Sequence, residues 1–495
     1  MSDPDGIIEH VFEGSDPAVL LMQRVCSAAR AEACGAAARL VAIGDMVALR
    51  VAQNGGASDD WIIDANDAVV LEIAAGLGIS RKWAASYVDY AYALRVQIPQ
   101  VGRVFIAGDI DEATFRTAVF RVGLITDDDV RADVDEKLAV RLPRWGKLNR
   151  KELSSRIDKI IAQVDADAVR RRRDRIADRE VFVGPVDSGL AEISATVFVA
   201  DAFAVSARLT ELARTVCEAD PRTLAQRRAD AFGALAAGAD RLGCRCGQSD
   251  CLAKGDTASA VMIHVIAEQA TVDGTGEAPG VLAGSDWLIP AEVIADLAQR
   301  ARLRPLVHPA DAPPEPRYAP SRALADFVRS RDLACRFPNC DVPAIQCDID
   351  HTIPHGEGGP TQASNLKCLC RNDHLAKTFW GWRDEQLRDG TVIWTSPVGE
   401  RYVTHPGSAL IFPGLCAPTA PVTAEVRPAG FVDKTAKMPR RTRTRQQSRA
   451  ATIAAERRAN RHYRTHPKPP PYVPDEFLSY LDTFPEDHES IPPPF

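Results

Sequence analysis

Between Cys335 and Lys377 the chain gathers the side chain types that bind metals: Cys335, Cys340, Asp350, His351, Asn365, Cys370, Asp373 and His374. Cys335-x4-Cys340 has the spacing of the first half of a zinc knuckle, and Cys370 begins a second half after a loop. Zinc favours four soft or borderline ligands in a tetrahedron. Three are thiols, and the fourth is expected one helical turn past Cys370, at Asp373, with Cys347, Cys368 and His374 as competitors. Ordinary reduced cysteines are the plainer alternative. Asp-His is a common dipeptide; Asp350-His351 gains meaning from Gly358-Gly359, Asn365-Leu366 and Cys370-x3-His374 downstream.

Such side chains need elements to hold them. The stretch 348–354 reads as a strand that puts Asp348 and Asp350 on one face and His351 on the other, with Pro354 ending it. The glycines of 356–360 predict a mobile loop, and a helix then carries His374 and Lys377. Segments 391–395 and 401–405 flank Pro397-Val398-Gly399, a hairpin signal.

The order Cys-x4-Cys, Asp-His-x2-Pro, Gly-Gly, Asn-Leu, Cys-x3-His resembles the HNH endonuclease motif in its zinc-knuckle form. Over about 335–380 this implies a small α+β domain with a ββα-metal (His-Me finger) core. The run from Lys377 to Trp382 and the hairpin to His405 are similar to the 13E12 repeat family of HNH proteins. That family's helical N-terminal domain of unknown function corresponds to about 18–305. The resemblance implies that His351 is the general base taking a proton from water, and that Asp350 and His374 hold one Mg2+ or Mn2+. It implies that Asn365 steadies the loop and orients His351. Cys335, Cys340 and Cys370 become ligands of one structural Zn2+, with Asp373 standing where the family usually has histidine. The implied activity is metal-dependent hydrolysis of phosphodiester bonds in DNA, double-stranded by expectation. The alternative is a non-catalytic DNA-binding protein of a repetitive or mobile element that retains the fold.

The totals bound the rest. A chain of 495 residues suggests about three domains. No run approaches the roughly 18 apolar residues of a membrane span, and the first residues carry acids where a signal peptide needs bases. A cytoplasmic, reducing location is therefore expected, and there clustered thiols point to metal before disulfides. Residues 1–17 are expected to be disordered, and 18–305 mainly helical with a few strands. Breaks are expected near Gly35 and Gly44, an N-cap at Ser80 and a strand near 190–200. Within this part, Arg170 to Arg173 read as a solvated helix face or a phosphate contact. Cys244, Cys246 and Cys251 are three thiols without an obvious fourth, so free thiols and a partial metal site both stand. A Pro-rich linker at 306–320 precedes the HNH domain at 321–406.

Residues 407–495 are expected to form a disordered tail, basic then acidic. A net charge of −7 argues against an all-over basic surface, yet Lys434 to Lys468 holds twelve Lys or Arg against one acid. Arg440, Arg441, Arg443 and Arg445, with Lys377, are the expected nucleic-acid contacts, gaining affinity through counterion release. The acidic end beyond Lys468 is expected to fold back on them.

Overall fold

A computed structural model describes residues 17–54, 59–146, 148–170, 179–186, 190–253, 264–283, 287–299, 301–423 and 438–466. The expected disorder of 1–16, Gly55-Gly56, Arg171 to Arg173 and the acidic end fall outside the described residues. The chain divides into two compact units: Met1–Ala37, Val96–Arg171 and Arg445–Phe495 in one, Ala38–Arg95 and Arg172–Thr444 in the other.

Helix starts follow the capping residues. α1 (Pro17–Asn54) runs unbroken through Gly35 and Gly44, contrary to expectation. A helical glycine costs about 1 kcal/mol, which a long cooperative helix absorbs. At Gly44 the missing side chain also leaves room for the Arg95 guanidinium, 3.6 Å from where a Cβ would stand. α2 (Ala65–Leu77) begins at a capping box of Asp64 and Asp67 and stops at Gly78, whose φ is 65°. α3 (Arg81–Tyr92) starts at the expected Ser80 cap. In the first unit, α4 (Pro99–Ile106), α5 (Glu112–Val122), α6 (Asp128–Arg141) and α7 (Arg150–Val164) enclose Phe105 and Phe115, stacked at 4.8 Å. Asp135 of α6 accepts from the first free N–H groups of α4, at Gln100 (2.8 Å) and Val101 (2.9 Å).

The second unit continues with an antiparallel pair, β1 (Glu180–Pro185) and β2 (Ala191–Thr196), the latter in the stretch expected to be a strand. α8 (Val199–Ala213) and α9 (Leu224–Ala236) pack on each other. A small sheet of β3 (Val265–Ile266), β4 (Gly280–Leu282) and β5 (Leu288–Ile289) is interrupted by α10 (Gln269–Val272). α11 (Ala291–Ala298) and α12 (Arg322–Asp332) stand on either side of the Pro-rich stretch.

The expected ββα unit follows: β6 (Asp348–His351), β7 (Leu366–Leu369) and α13 (Arg371–Phe379). Beyond it lies an antiparallel sheet of β8 (Arg383–Gln386), β9 (Val392–Thr395) and β10 (Arg401–Thr404) in the order β10-β9-β8. One apolar core joins Phe327 and Val328 of α12, Leu366 and Leu369 of β7, and Trp380, Trp382 and Trp394. Trp61, Ile63 and Leu71, from the approach to α2 and from α2 itself, complete that core. Trp61 meets Trp380 edge-on at 5.9 Å, and the Trp380 indole N–H donates to the Ile63 carbonyl at 3.0 Å. The unit thus takes in both sides of 306–320.

The segment after 407, expected to lack structure, is ordered where it is described. Short turns occupy Gly407–Leu410 and Pro413–Cys416, and α14 (Arg445–Thr465) is a helix. Its docking is polar. Arg457 pairs with Asp165 at 2.7 Å, Arg461 and Arg464 pair with Asp167 at 2.8 and 2.9 Å, and Asn460 donates to the Asp167 carbonyl. A helix held by guanidiniums on carboxylates shows no apolar period for sequence reading to find.

Candidate active site

The β6–β7 register sets Asp350 opposite Lys367 and His351 opposite Leu366. Lys367 is fully buried, with its ammonium 2.8 Å from Asp350 Oδ2 and 2.5 Å from Asp384 Oδ2. Lys377 of α13 reaches the same pair, at 2.7 Å from Asp350 Oδ2 and 3.1 Å from Asp384 Oδ1. It also donates to the His351 carbonyl at 2.8 Å. Two cations and two anions therefore interlock beneath the hairpin. Burial alone would raise the Asp350 carboxyl, but the two lysines outweigh it and hold it well below the usual carboxylate range. Burial would likewise lower Lys367, and Asp350 and Asp384 carry it above its ordinary value.

His351 is buried, 5% exposed. Its Nε2 lies 2.9 Å from Thr361 Oγ1, and that hydroxyl donates to the Tyr318 carbonyl at 3.4 Å. With its proton spent there, Thr361 accepts from Nε2–H and leaves the lone pair of His351 on Nδ1. The Tyr318 ring stacks on the imidazole at 5.2 Å, and His355 meets it edge-on at 5.6 Å. Burial pushes His351 down to about 4 despite the pull of Asp350, with His355 and the two lysines pushing the same way as burial. The ring is neutral at pH 7.

Asn365 braces the loop between these parts. Its side chain accepts from Ile353 N–H at 2.8 Å and donates to the carbonyls of Ile353 (3.1 Å) and Pro360 (2.9 Å). It acts on the 353–360 loop, from whose end Thr361 reaches His351. In the loop expected to be mobile, Gly359 is buried and a Cβ there would sit 1.9 Å from the Ile353 carbonyl oxygen, whereas His355, Gly356 and Gly358 are exposed. His374 of α13 places Nδ1 3.1 Å from Asp348 Oδ2 and Nε2 3.4 Å from Asp350 Oδ1. Two donors on one magnesium or manganese ion stand about 3 Å apart. Asp350 Oδ1 and His374 Nε2 fit that demand, while Oδ2 is committed to the lysines.

The ligand atoms of Cys335, Cys340, Cys370 and Asp373 all lie within 4.8 Å of one another. Asp373 Oδ2 is 3.1 Å from the Sγ atoms of Cys335 and Cys370, and Arg81 of α3 pairs with the same oxygen. Asp373 is wholly buried, yet its Oδ1 has no hydrogen-bond partner. Burial pushes this carboxyl up to about 7 although Arg81 pulls it down. Three thiols and the carboxylate oxygen Oδ2 that faces them make a donor set that suits zinc. Of the competitors, Cys347 stands beside Cys335 but outside the four-residue cluster, with its Sγ 3.4 Å from the Pro343 carbonyl, and Cys368 Sγ faces the Val328 carbonyl at 4.0 Å.

Lys377, expected to meet nucleic acid, is instead turned into the carboxylate pair, because two buried anions need its charge. Arg441 is drawn onto Asp64 and Asp67 at the start of α2, and Arg440 pairs with Asp60 at 2.9 Å. Arg440, Arg443 and Arg445 are exposed. Sequence reasoning passed over Lys367, Asp384, Thr361, Tyr318 and Arg81. Lys367 was within reach, since pairing Asp348–His351 with Leu366–Leu369 sets it opposite Asp350. Tyr318 and Arg81 arrive from distant segments and leave no local signal.

Comparison with known proteins matches residues 27–332 to the family described as domain of unknown function DUF222, and residues 335–379 to HNH endonuclease. The uncharacterized protein Rv3776 of Mycobacterium tuberculosis is 40% identical, over 95% of this chain and 94% of its own length. The uncharacterized protein Rv2100 of the same species is also 40% identical, over 94% of this chain and 93% of its own. A third M. tuberculosis relative, an uncharacterized protein in the est 3′ region, is 34% identical over 66% of this chain and 99% of its own length. No solved structure matches the chain. Among the described residues no helix is long and apolar enough to cross a membrane.

Proposed function

We propose, for a chain that belongs to the DUF222 family and carries an HNH endonuclease segment, that it is a metal-dependent endonuclease hydrolysing phosphodiester bonds of DNA. The observation that carries this reading is the meeting of β6, β7 and α13. One hairpin supplies a neutral imidazole on one face and a carboxylate on the other, and the helix brings His374 to within 3.4 Å of that carboxylate.

In this reading His351 takes the proton of the attacking water at Nδ1, while Thr361 holds Nε2 and so fixes the tautomer. Asp350 and His374 hold the divalent ion, which when bound supplies charge stabilisation to the phosphate and the leaving 3′ oxygen. Asn365 positions the loop, and Lys367 and Lys377 fix the orientation of Asp350 by occupying Oδ2. Cys335, Cys340, Cys370 and Asp373 hold a structural zinc ion. Arg440, exposed although paired with Asp60, and exposed Arg443 and Arg445 contribute phosphate contacts, while Arg441 and Lys377 are turned onto internal carboxylates.

A second reading is a DNA-binding protein that keeps the fold without cutting, and the covering of His351 by Tyr318 favours it. Plasmid cleavage with Mg2+ or Mn2+ separates the two. The enzyme reading expects His351→Ala to lose about 10²–10⁴-fold in rate with zinc retained. No cutting by the wild type with either ion, or undiminished cutting by His351→Ala, defeats it.

A further inference from the structure

Away from the nuclease module, α8 and α9 share a very small core. Among the described residues its buried members are Leu209, Leu212 and Ala231, with Ala234 and Leu235 packed alongside. So little apolar surface does not by itself fix two helices and their connections, and small modules of this kind are commonly stapled by disulfides or metal. The turn after α8 carries Cys217, and the loop after α9 carries Cys244, Cys246 and Cys251. All four sulfur atoms lie within 4.8 Å of one another, and those of Cys217 and Cys244 are 3.5 Å apart. A zinc ion at about 2.3 Å from each of four sulfurs sets them about 3.8 Å apart.

The backbone around the thiols is held in place independently of them. Asp220, buried, accepts from Arg222 N–H and Nε at 3.0 Å, and from Arg222 Nη2 at 2.8 Å. It also accepts from Arg245 N–H at 2.9 Å, between the first two cysteines of the loop. Arg222 donates to the Gly243 carbonyl at 2.7 Å, and Leu242 N–H donates to Thr215 Oγ1 at 2.8 Å. Cys244 N–H donates to the Ala253 carbonyl at 2.8 Å, closing the loop on itself. Gly247, with φ of 76°, makes the tight turn that brings Cys246 and Cys251 back towards the others. Cysteine pairing on its own does not call for this arrangement: one disulfide would use two sulfurs and leave two crowded beside it. Four convergent thiols on a preset loop match a structural tetrathiolate site.

The geometry points to a second zinc site, built from Cys217, Cys244, Cys246 and Cys251, that staples the α8–α9 pair. Cys217, 27 residues before Cys244 in sequence, is the fourth ligand that the local Cys-rich run lacks. The site is independent of the knuckle at Cys335, so the two are counted separately.

Elemental analysis of the full-length protein, purified under reducing conditions, is the test. The wild type should carry two zinc ions per chain. Cys246→Ser should lose one of the two and keep the other, while Cys335→Ser should lose the other and keep this one. Cys251→His, which retains four ligands, should keep both. Because a serine variant can misfold, cobalt reconstitution of the wild type gives a second readout. The near-ultraviolet thiolate-to-cobalt absorption should reach the sum expected for the three knuckle thiolates plus four more. Unchanged zinc in Cys246→Ser, or a cobalt signal accounted for by the knuckle thiolates alone, overturns the site. So does a non-reduced mass lowered by disulfide formation among these four residues.

Discussion

Replacing Lys367 with methionine removes one cation from a buried group of two cations and two anions. Lys367 stands at 2.8 Å from Asp350 and 2.5 Å from Asp384, and its side chain is wholly out of solvent. At an effective dielectric constant of about 20, each of these contacts is worth roughly 6 kcal/mol gross. Desolvating the ammonium takes back several kcal/mol, so loss of the cation should cost about 3–5 kcal/mol, most of it from the anion left unpaired. Methionine fills the volume, so little of the loss comes from packing. The second change, Asp384→Leu, returns the group to charge balance with Lys377 on Asp350. The double variant should therefore recover most of the stability. Urea unfolding followed by tryptophan fluorescence reads this directly, because Trp380, Trp382 and Trp394 lie in the same core. With a slope of about 2 kcal/mol per molar urea, the midpoint should fall by roughly 2 M in Lys367→Met and return in the double variant. A single variant within about 1 kcal/mol of wild type, or a double variant no more stable than the single, would refute the charge-balance reasoning.

Four further outcomes follow from the same geometry. Because His351 is pushed down to about 4, its base form is complete well below neutrality, and kcat/KM for cleavage should fall on the acid side only as pH drops towards 4; a limb centred near 6.5 would count against it. The depressed value also means that His351 contributes stability that is full above about pH 6.5 and lost as pH falls through about 4, so His351→Gln should flatten the stability curve in that window, and an identical curve would contradict the assignment. Tyr318→Ala uncovers the ring and should move the His351 titration, followed by NMR of its ring protons, up towards the ordinary histidine range; an unmoved titration means the Tyr318 ring does not bury the base. Arg81→Leu should weaken zinc retention by the knuckle about 10–100-fold in chelator competition, and equal retention would remove Arg81 from the site.

The nuclease module was legible because its chemistry is local. Cys335, Cys340 and Cys370 converge within 4.8 Å with Asp373, one of four candidates for the fourth position, and one strand register delivers Asp350 and His351 to opposite faces. What stayed hidden was carried by side chains from far along the chain. Nothing near Arg81 or Tyr318 in sequence marks them as partners of Asp373 or His351. The helix at Arg445–Thr465 escaped for a different reason: its mates are Asp165 and Asp167, so it lacks the apolar stripe by which helices are recognised. Lys377 looked like a phosphate contact because a lysine on an amphipathic helix usually faces water. Here the buried Asp350 and Asp384 outbid solvent for its charge. Cys217 could not be joined to Cys244 without the fold, since α9 lies between them.

The aspartate at 373 and the arginine at 81 make sense only together. Three thiolates, a neutral imidazole and a zinc ion leave one negative charge in excess, the balance of the histidine-bearing knuckle that this segment resembles. Exchanging the imidazole for a carboxylate leaves two. Buried charge of that kind is costly unless paired, and the Arg81 guanidinium on Asp373 restores the excess to one. In a zinc-bound knuckle the exchange would be electrically neutral only because α3 supplies the cation, whose guanidinium also stands over the Phe337 ring at 5.9 Å. The same span supplies apolar wall, since Trp61, Ile63 and Leu71 close the core that Trp380 and Trp394 share. Arg81 and these residues belong to the segment matched as a domain of unknown function, whereas the motif itself occupies 335–379. A piece cut to the motif alone would carry every proposed ligand and still lack the charge that permits Asp373 and the wall that covers Trp380. In this chain, residues of the N-terminal segment complete the core and the charge balance of the HNH segment.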